Sequence, residues 1–190
     1  MIQINTLDIE TKLINNYFIP DLVCLILNEK NYSFLGQTSL EDMFIFMNER
    51  IIDNVTFYVH NINFDGTLII DHMVRNNIQF KTFVVKNNIY YIRIELKHGT
   101  IEIRCSYKLL PRPLTEIGEK LFGIPKMPYP YRVLENKTIP NKVEEGDFKS
   151  KDEYDRYVFI TGSNSFNYYK YTEEYCMNDV KITKLFVEEY

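Results

Sequence analysis

The chain of 190 residues contains no alanine, no tryptophan and only three cysteines. Cys24, Cys105 and Cys176 are odd in number and widely spaced, which fits neither a disulfide framework nor a zinc motif, so they are expected to be small buried apolar residues. No run reaches the ~18 to 20 apolar residues that a membrane span needs. Met1 leads straight into a strand pattern, with no positively charged segment ahead of an apolar one, so no signal peptide is expected and the protein should be soluble and intracellular. There is no excess of basic residues either. A formal net charge of -4 argues against a broad surface for duplex nucleic acid, which is ordinarily basic, although a narrow cleft is compatible with it.

The length suits one domain with room for a real core. Residues 2–9 read as a strand, and Leu22–Leu27 and Tyr32–Leu35 as a hairpin around Asn28-Glu29-Lys30-Asn31. Ser39 with Asp42 three residues on resembles a capping box opening a helix, whose apolar stripe is Met43, Phe44, Met47 and Ile51. Val55–Val59 is a strand, and a helix begun near Asp65 runs through Arg75. Runs 79–85, 90–96 and 100–105 are β-branched and aromatic, separated by turn residues, which predicts a meander. Leu114–Phe122 reads as a short helix ended by Gly123, residues 125–140 as one long surface connection, and the last segment as a helix laid on the sheet. Strands alternating with helices predict an α/β fold on a central mixed sheet flanked by helices.

Three segments carry candidate chemistry. In Leu7-Asp8-Ile9-Glu10, alternation sends both carboxylates to one face of a strand while Leu7 and Ile9 turn the other way. A pair of hard oxygen donors suits Mg²⁺ or Mn²⁺, though such a pair is also common on a solvated edge. In Phe57-Tyr58-Val59-His60-Asn61-Ile62-Asn63-Phe64-Asp65, a β-rich run breaks into a helix start, where Asp65 is either an N-cap or a metal ligand. In the terminal helix, Tyr175 and Asp179 share a face that continues to Ile182 and Phe186, so Asp179 points inward and needs a cation or hydrogen-bond partners.

The order D-x-E, H-N-x-x-F-D, Y-x-x-x-D resembles the proofreading 3′–5′ exonuclease domain of family B DNA polymerases, and within it the protein-primed branch of phages, linear mitochondrial plasmids and viruses. Phe57 to Phe80 is similar to the second exonuclease motif of that branch, and Cys105-Ser106-Tyr107-Lys108-Leu109-Leu110-Pro111 resembles its single-strand-binding element, with Tyr107 where leucine is usual. The resemblance spans essentially the whole chain. It implies a ribonuclease H-like (DnaQ-like exonuclease) fold, a single exonuclease domain over 1–190, and no palm, fingers or thumb. The wealth of Asn, Ile, Lys, Tyr and Phe matches AT-rich codons and points to an organellar, plasmid or viral genome, hence to a mitochondrion or the cytoplasm of a phage or viral host.

The resemblance also implies roles. Asp8, Glu10, Asp65 and Asp179 would hold two divalent ions about 3.5–4 Å apart, with Asp8 bridging them, Glu10 and Asp179 completing one site and Asp65 helping to hold the other. Tyr175 would orient the attacking water; standing alone it reads as a core tyrosine packed on the sheet, a reading that its spacing from Asp179 weakens. The substrate would be a single-stranded DNA 3′ end, gripped by Thr11, Tyr58, Asn61, Phe64, Ser106 and Tyr107, with Phe64 either a stacking wedge or a core residue. His60 is not a metal ligand in this family. The family's remaining lysine lies near a Gly-Asp dipeptide, and here Gly146-Asp147 is followed by both Lys149 and Lys151, which also read as solvated lysines of a charged run. RNA is a second candidate substrate, since only contacts at the 2′-OH would decide. A separately encoded polymerase or replication protein is a candidate partner. The competing reading is a polymerase-derived remnant serving as a structural or binding subunit. Weak, non-processive binding of single strands is expected from the acidic balance.

Overall fold

The computed structural model describes residues 3–128, 142–165 and 168–190. The expected long connection falls largely on 129–141, outside the described residues. Seven strands form one mixed sheet in the order β3-β2-β1-β4-β7-β6-β5. These are β1 (Asn5–Ile14), β2 (Tyr17–Leu27), β3 (Lys30–Leu35), β4 (Asn54–Val59), β5 (Phe80–Val85), β6 (Asn88–Glu95) and β7 (Thr100–Cys105). The helices are α1 (Ser39–Arg50), α2 (Asn63–Arg75), α3 (Leu114–Ile117, continued as a π-helical turn over Gly118–Phe122), α4 (Lys151–Thr161) and α5 (Tyr168–Glu189).

The α/β expectation and the 80–105 meander hold, with β6 beginning at Asn88 rather than Tyr90. β1 is longer than expected and forms a hairpin with β2, which begins at Tyr17 rather than Leu22. Pro20 is tolerated because a bulge between Glu10 and Thr11 shifts the register there. Low glycine content does not prevent tight hairpins, because Asn15-Asn16, Asn28-Glu29 and Lys86-Asn87 all adopt positive φ, the conformation two-residue hairpin turns require. Asparagine tolerates it best among non-glycine residues.

The helix starts differ from expectation. Thr38, not Ser39, caps α1, and its hydroxyl donates to Asp42 Oδ2 at 2.8 Å instead of forming a capping box. Asp65 is not an N-cap, since α2 already begins at Asn63. Residues 151–155, read as part of a solvated charged run from Glu144 to Asp155, open the helix α4, capped by Ser150 Oγ accepting from Glu153 N. Its Tyr157 is 1% exposed and packs with Val143, Phe148, Tyr171 and Tyr175. Gly123 ends the α3 segment in the left-handed region, φ 65°, as expected.

Helices cover both faces. Leu7, Ile9, Val23 and Leu25 meet Met43, Phe44 and Met47 of α1 and Ile69 and Met73 of α2 on one side. On the other, Leu22, Cys24 and Ile26 meet Cys176 and Val180 of α5, while Ile4, Leu114 and Ile117 meet Ile182 and Phe186. All three cysteines are buried and free. No described helix is long and apolar enough to cross a membrane. Phe186 is wholly buried at the foot of α5, so Phe186→Ala should cost about 3–5 kcal/mol in chemical denaturation, whereas Ile52→Ala, 71% exposed, should stay within about 0.5 kcal/mol. Equal effects would contradict this packing of α5.

Candidate active site

β1 and β4 pair in parallel over only Asn5–Phe57 and Thr6–Tyr58 and then part. The N–H of Ile9, left without a strand partner on that side, donates to Asp65 Oδ1 at 3.1 Å. Asp65 is thereby fixed beside β1 in the first turn of α2, 5% exposed. From the opposite side two contacts tie α5 to β1: Thr6 Oγ1 donates to Val180 O at 3.1 Å, and the Cys176 thiol to Asp8 O at 3.6 Å. The ties flank Asp179 in sequence and set it across from Asp8. The bulge after Glu10 terminates regular pairing where the carboxylates stand, and Asp21 within it is ion-paired to Lys12 at 2.6 Å.

Asp8, His60, Asn61, Tyr107, Lys126 and Asp179 line one open cleft of about 330 Å³. Among the described residues, Lys126 brings a cation to this site. Its Nζ lies 2.6 Å from Asp179 Oδ2 and 5.0 Å from the centroid of the Tyr175 ring. Sequence reading missed it, because Pro125-Lys126-Met127-Pro128 has no periodicity and only the return of the chain past α3 brings it here. Lys149 and Lys151 are exposed at the start of α4 and do not line the cleft.

The electrostatics follow from crowding carboxylates out of water. Burial raises Asp8 above the ordinary carboxylate range, opposed by Lys126. Burial and then the charges of Asp8 and Asp179 push Glu10 well up, and burial followed by the Asp8 charge does the same to Asp65. Burial lifts Asp179 to about 7 although Lys126 pulls it down. The Lys126 ammonium is itself held protonated: burial works against it, but Asp179, Asp8 and Glu10 together outweigh that.

These groups can hold a cation. Asp179 Oδ1 is buried and has no hydrogen-bond partner among the described residues, a costly arrangement that a bound ion would relieve. One ligand atom each from Asp8, Glu10 and Cys176 lie within 4.8 Å of one another. Burial pushes the Cys176 thiol far up, so it stays a neutral donor to the backbone and leaves the oxygens as ligands.

The remaining candidates are placed unevenly. Asn61 stands exposed at the cleft in the left-handed region, φ 59°. Phe64 is 44% exposed and meets the Phe18 ring edge-on at 5.6 Å, so the core alternative is excluded. Thr11 is half-buried beyond the bulge. Tyr58 is half-buried against Ile4, Leu114 and Ile117. Ser106 is fully buried, with its hydroxyl between Val59 O at 3.3 Å and His60 Nδ1 at 3.1 Å. His60 Nε2 faces the Arg112 carbonyl at 3.1 Å and so carries the proton, while burial lowers the ring's pKa to about 4. His60 is therefore a neutral brace between the two loops of the cleft. Tyr175 is 6% exposed.

In the unfolded chain Asp179 titrates near 3.8 and in the fold near about 7. Folding thus takes up a proton between these values, and metal-free stability should fall as pH rises through that window and level off above it. Thermal melts in a chelating buffer should show a lower melting temperature at pH 8 than at pH 5, with a smaller difference for Asp179→Asn. A melting temperature that rises with pH over this range would contradict the crowding of the carboxylates.

The family described as DNA polymerase type B, organellar and viral, matches over residues 46–190. No curated protein matches in sequence. Among solved structures, Phi29 DNA polymerase complexed with primer-template DNA is similar with a TM-score of 0.60 and 18% identity, covering 95% of this chain and 30% of that one. Phi29 DNA polymerase complexed with single-stranded DNA gives 0.58 and 17%, with the same coverage. The chain thus spans 30% of the length of these polymerases, and its sheet and flanking helices are the ribonuclease H-like fold of their exonuclease domain. On this match, which spans more than half of the chain, the chain belongs to the type B DNA polymerase family, organellar and viral.

Proposed function

We propose that the protein is a metal-dependent 3′–5′ exonuclease that removes nucleotides from single-stranded DNA 3′ ends, either as a separate enzyme or as the proofreading part of a longer polymerase. The observation that carries this reading is the convergence of Asp8, Glu10, Asp65 and Asp179 from β1, α2 and α5, each with a raised pKa and with Lys126 as the cation paired among them. A purely structural protein has no need to hold carboxylates in mutual repulsion.

Two divalent ions, Mg²⁺ or Mn²⁺, held by these four carboxylates would activate the attacking water and neutralise charge on the scissile phosphate. Lys126 adds a fixed positive charge at the same end of the cleft, steadies Asp179, and attracts the phosphate of an incoming strand. Tyr175, against the Lys126 ammonium, orients the water through its hydroxyl. Phe64, exposed one residue before Asp65, offers its face to a terminal base, and Asn61 and Tyr107 border the path of that base. None of these groups reads base identity, as removal of any mismatched terminal nucleotide requires.

The test is digestion of 5′-labelled single-stranded DNA, with an RNA of the same sequence in parallel, in Mg²⁺, in Mn²⁺ and in chelator. A ladder of products shortened from the 3′ end, formed only with metal, is expected. Internal cuts, or release independent of metal, would sink the proposal. Asp8→Asn should abolish release while keeping the fold, and Tyr175→Phe should slow it much less, since it removes one hydroxyl and no ligand. Phe64→Ala should weaken binding of a 3′ end by about 1–3 kcal/mol and leave the melting temperature nearly unchanged.

A further inference from the structure

Residues 80–108, from β5 to the turn after β7, carry charge opposite to the rest of the chain. Lys81, Lys86, Arg93, Lys97, Arg104 and Lys108 stand there against Glu95 and Glu102 alone, in a protein of net charge -4. Residues 81–85 are exposed throughout, so the edge strand β5 is covered on neither face.

Along this region a line of rings and one cation leads out of the cleft. The Lys108 ammonium lies 6.0 Å from the centroid of Tyr107, which lines the cleft, and 5.1 Å from that of Tyr90. Tyr90 meets Phe83 at 5.6 Å, and Phe83 stacks on Tyr91 at 5.7 Å with their planes 23° apart. Phe83 is 47% and Tyr90 38% exposed. A protein-docking core would be depleted of lysine. Exposed rings set about a cation on a basic strip suit an unpaired polyanion with π-faced bases.

We propose that Tyr107, Lys108, Tyr90 and Phe83 form a rail that binds the unpaired strand upstream of the nucleotide in the cleft, with the rings stacking on bases and Lys108 and its basic neighbours holding phosphates. The rail rests on the exonuclease reading for its orientation but not for its existence. It replaces the expectation of weak binding drawn from whole-chain charge, because the negative charge lies elsewhere.

Affinity is measured by fluorescence anisotropy with labelled oligothymidylates of 4 and 12 nucleotides, in EDTA so that no strand is cut. The 12-mer should bind at least tenfold more tightly than the 4-mer. Phe83→Ser with Tyr90→Ser should remove most of that gain, roughly 5- to 150-fold for each base unstacked, without changing the 4-mer. Lys108→Gln, which spares the rings, should reduce the slope of log affinity against log salt by about 0.7. Equal affinity for both lengths, or a gain that survives both variants, overturns the rail and leaves this face to a protein partner. Length-dependent binding without metal-dependent trimming would retain the rail and defeat the exonuclease reading, and trimming without a length effect would do the reverse.

Discussion

Four neighbouring carboxylates, Asp8 and Glu10 half-buried and Asp65 and Asp179 buried, repel one another, and the surrounding structure is organised around holding them there. They come from three separately anchored elements. Asp8 and Glu10 ride on a strand whose alternate residues, Leu7 and Ile9, are sunk in the core. Asp65 is pinned by the Ile9 N–H, and Asp179 by a helix bonded to β1 at Thr6 and Asp8. Apolar packing beneath these contacts stabilises what the charges oppose. Lys126 cancels part of the repulsion, and the bare Asp179 Oδ1 marks what remains.

The cleft opens where parallel strands separate. β1, β4 and β7 run side by side in the same direction, but β1 and β4 share only two residue pairs. Past that point the ends of β4 and β7 turn into His60-Asn61 and Ser106-Tyr107, braced together by the neutral His60 ring. The carboxyl ends of parallel strands are where open α/β sheets characteristically bind ligands. The acidic cleft and the basic strip over 80–108 are neighbours, joined by Tyr107 and Lys108. Net charge averages over both and describes neither.

Much was legible beforehand because it rests on local periodicity. Alternation in β1 placed Asp8 and Glu10 on one face, spacing in α5 aligned Tyr175 with Asp179, and the β-branched runs of 80–105 announced the meander. Local rules also erred where competition was close. The capping-box spacing at Ser39 misled because Thr38 binds the Asp42 side chain instead. The strand expected over Leu22–Leu27 starts five residues earlier, at Tyr17, because a bulge carries it past Pro20.

By itself the sequence determined the fold class, the shared face of Asp8 and Glu10 and the inward face of Asp179, since strand and helix periods fix which face a side chain takes whatever the partner, whereas Asp65 joined them only through the family resemblance. Only the tertiary structure decided what faces them. Lys126 enters through an aperiodic segment, Phe64 is turned to solvent rather than core, Tyr58 packs half-buried beside Ile4 and Leu114, and the buried Ser106 hydroxyl sits between Val59 O and His60 Nδ1. The aromatic rail is likewise a product of register, which sets Phe83 beside Tyr91 and Tyr90 beneath Lys108. These are contacts between residues far apart in the chain, and no local preference encodes the distance across which they meet.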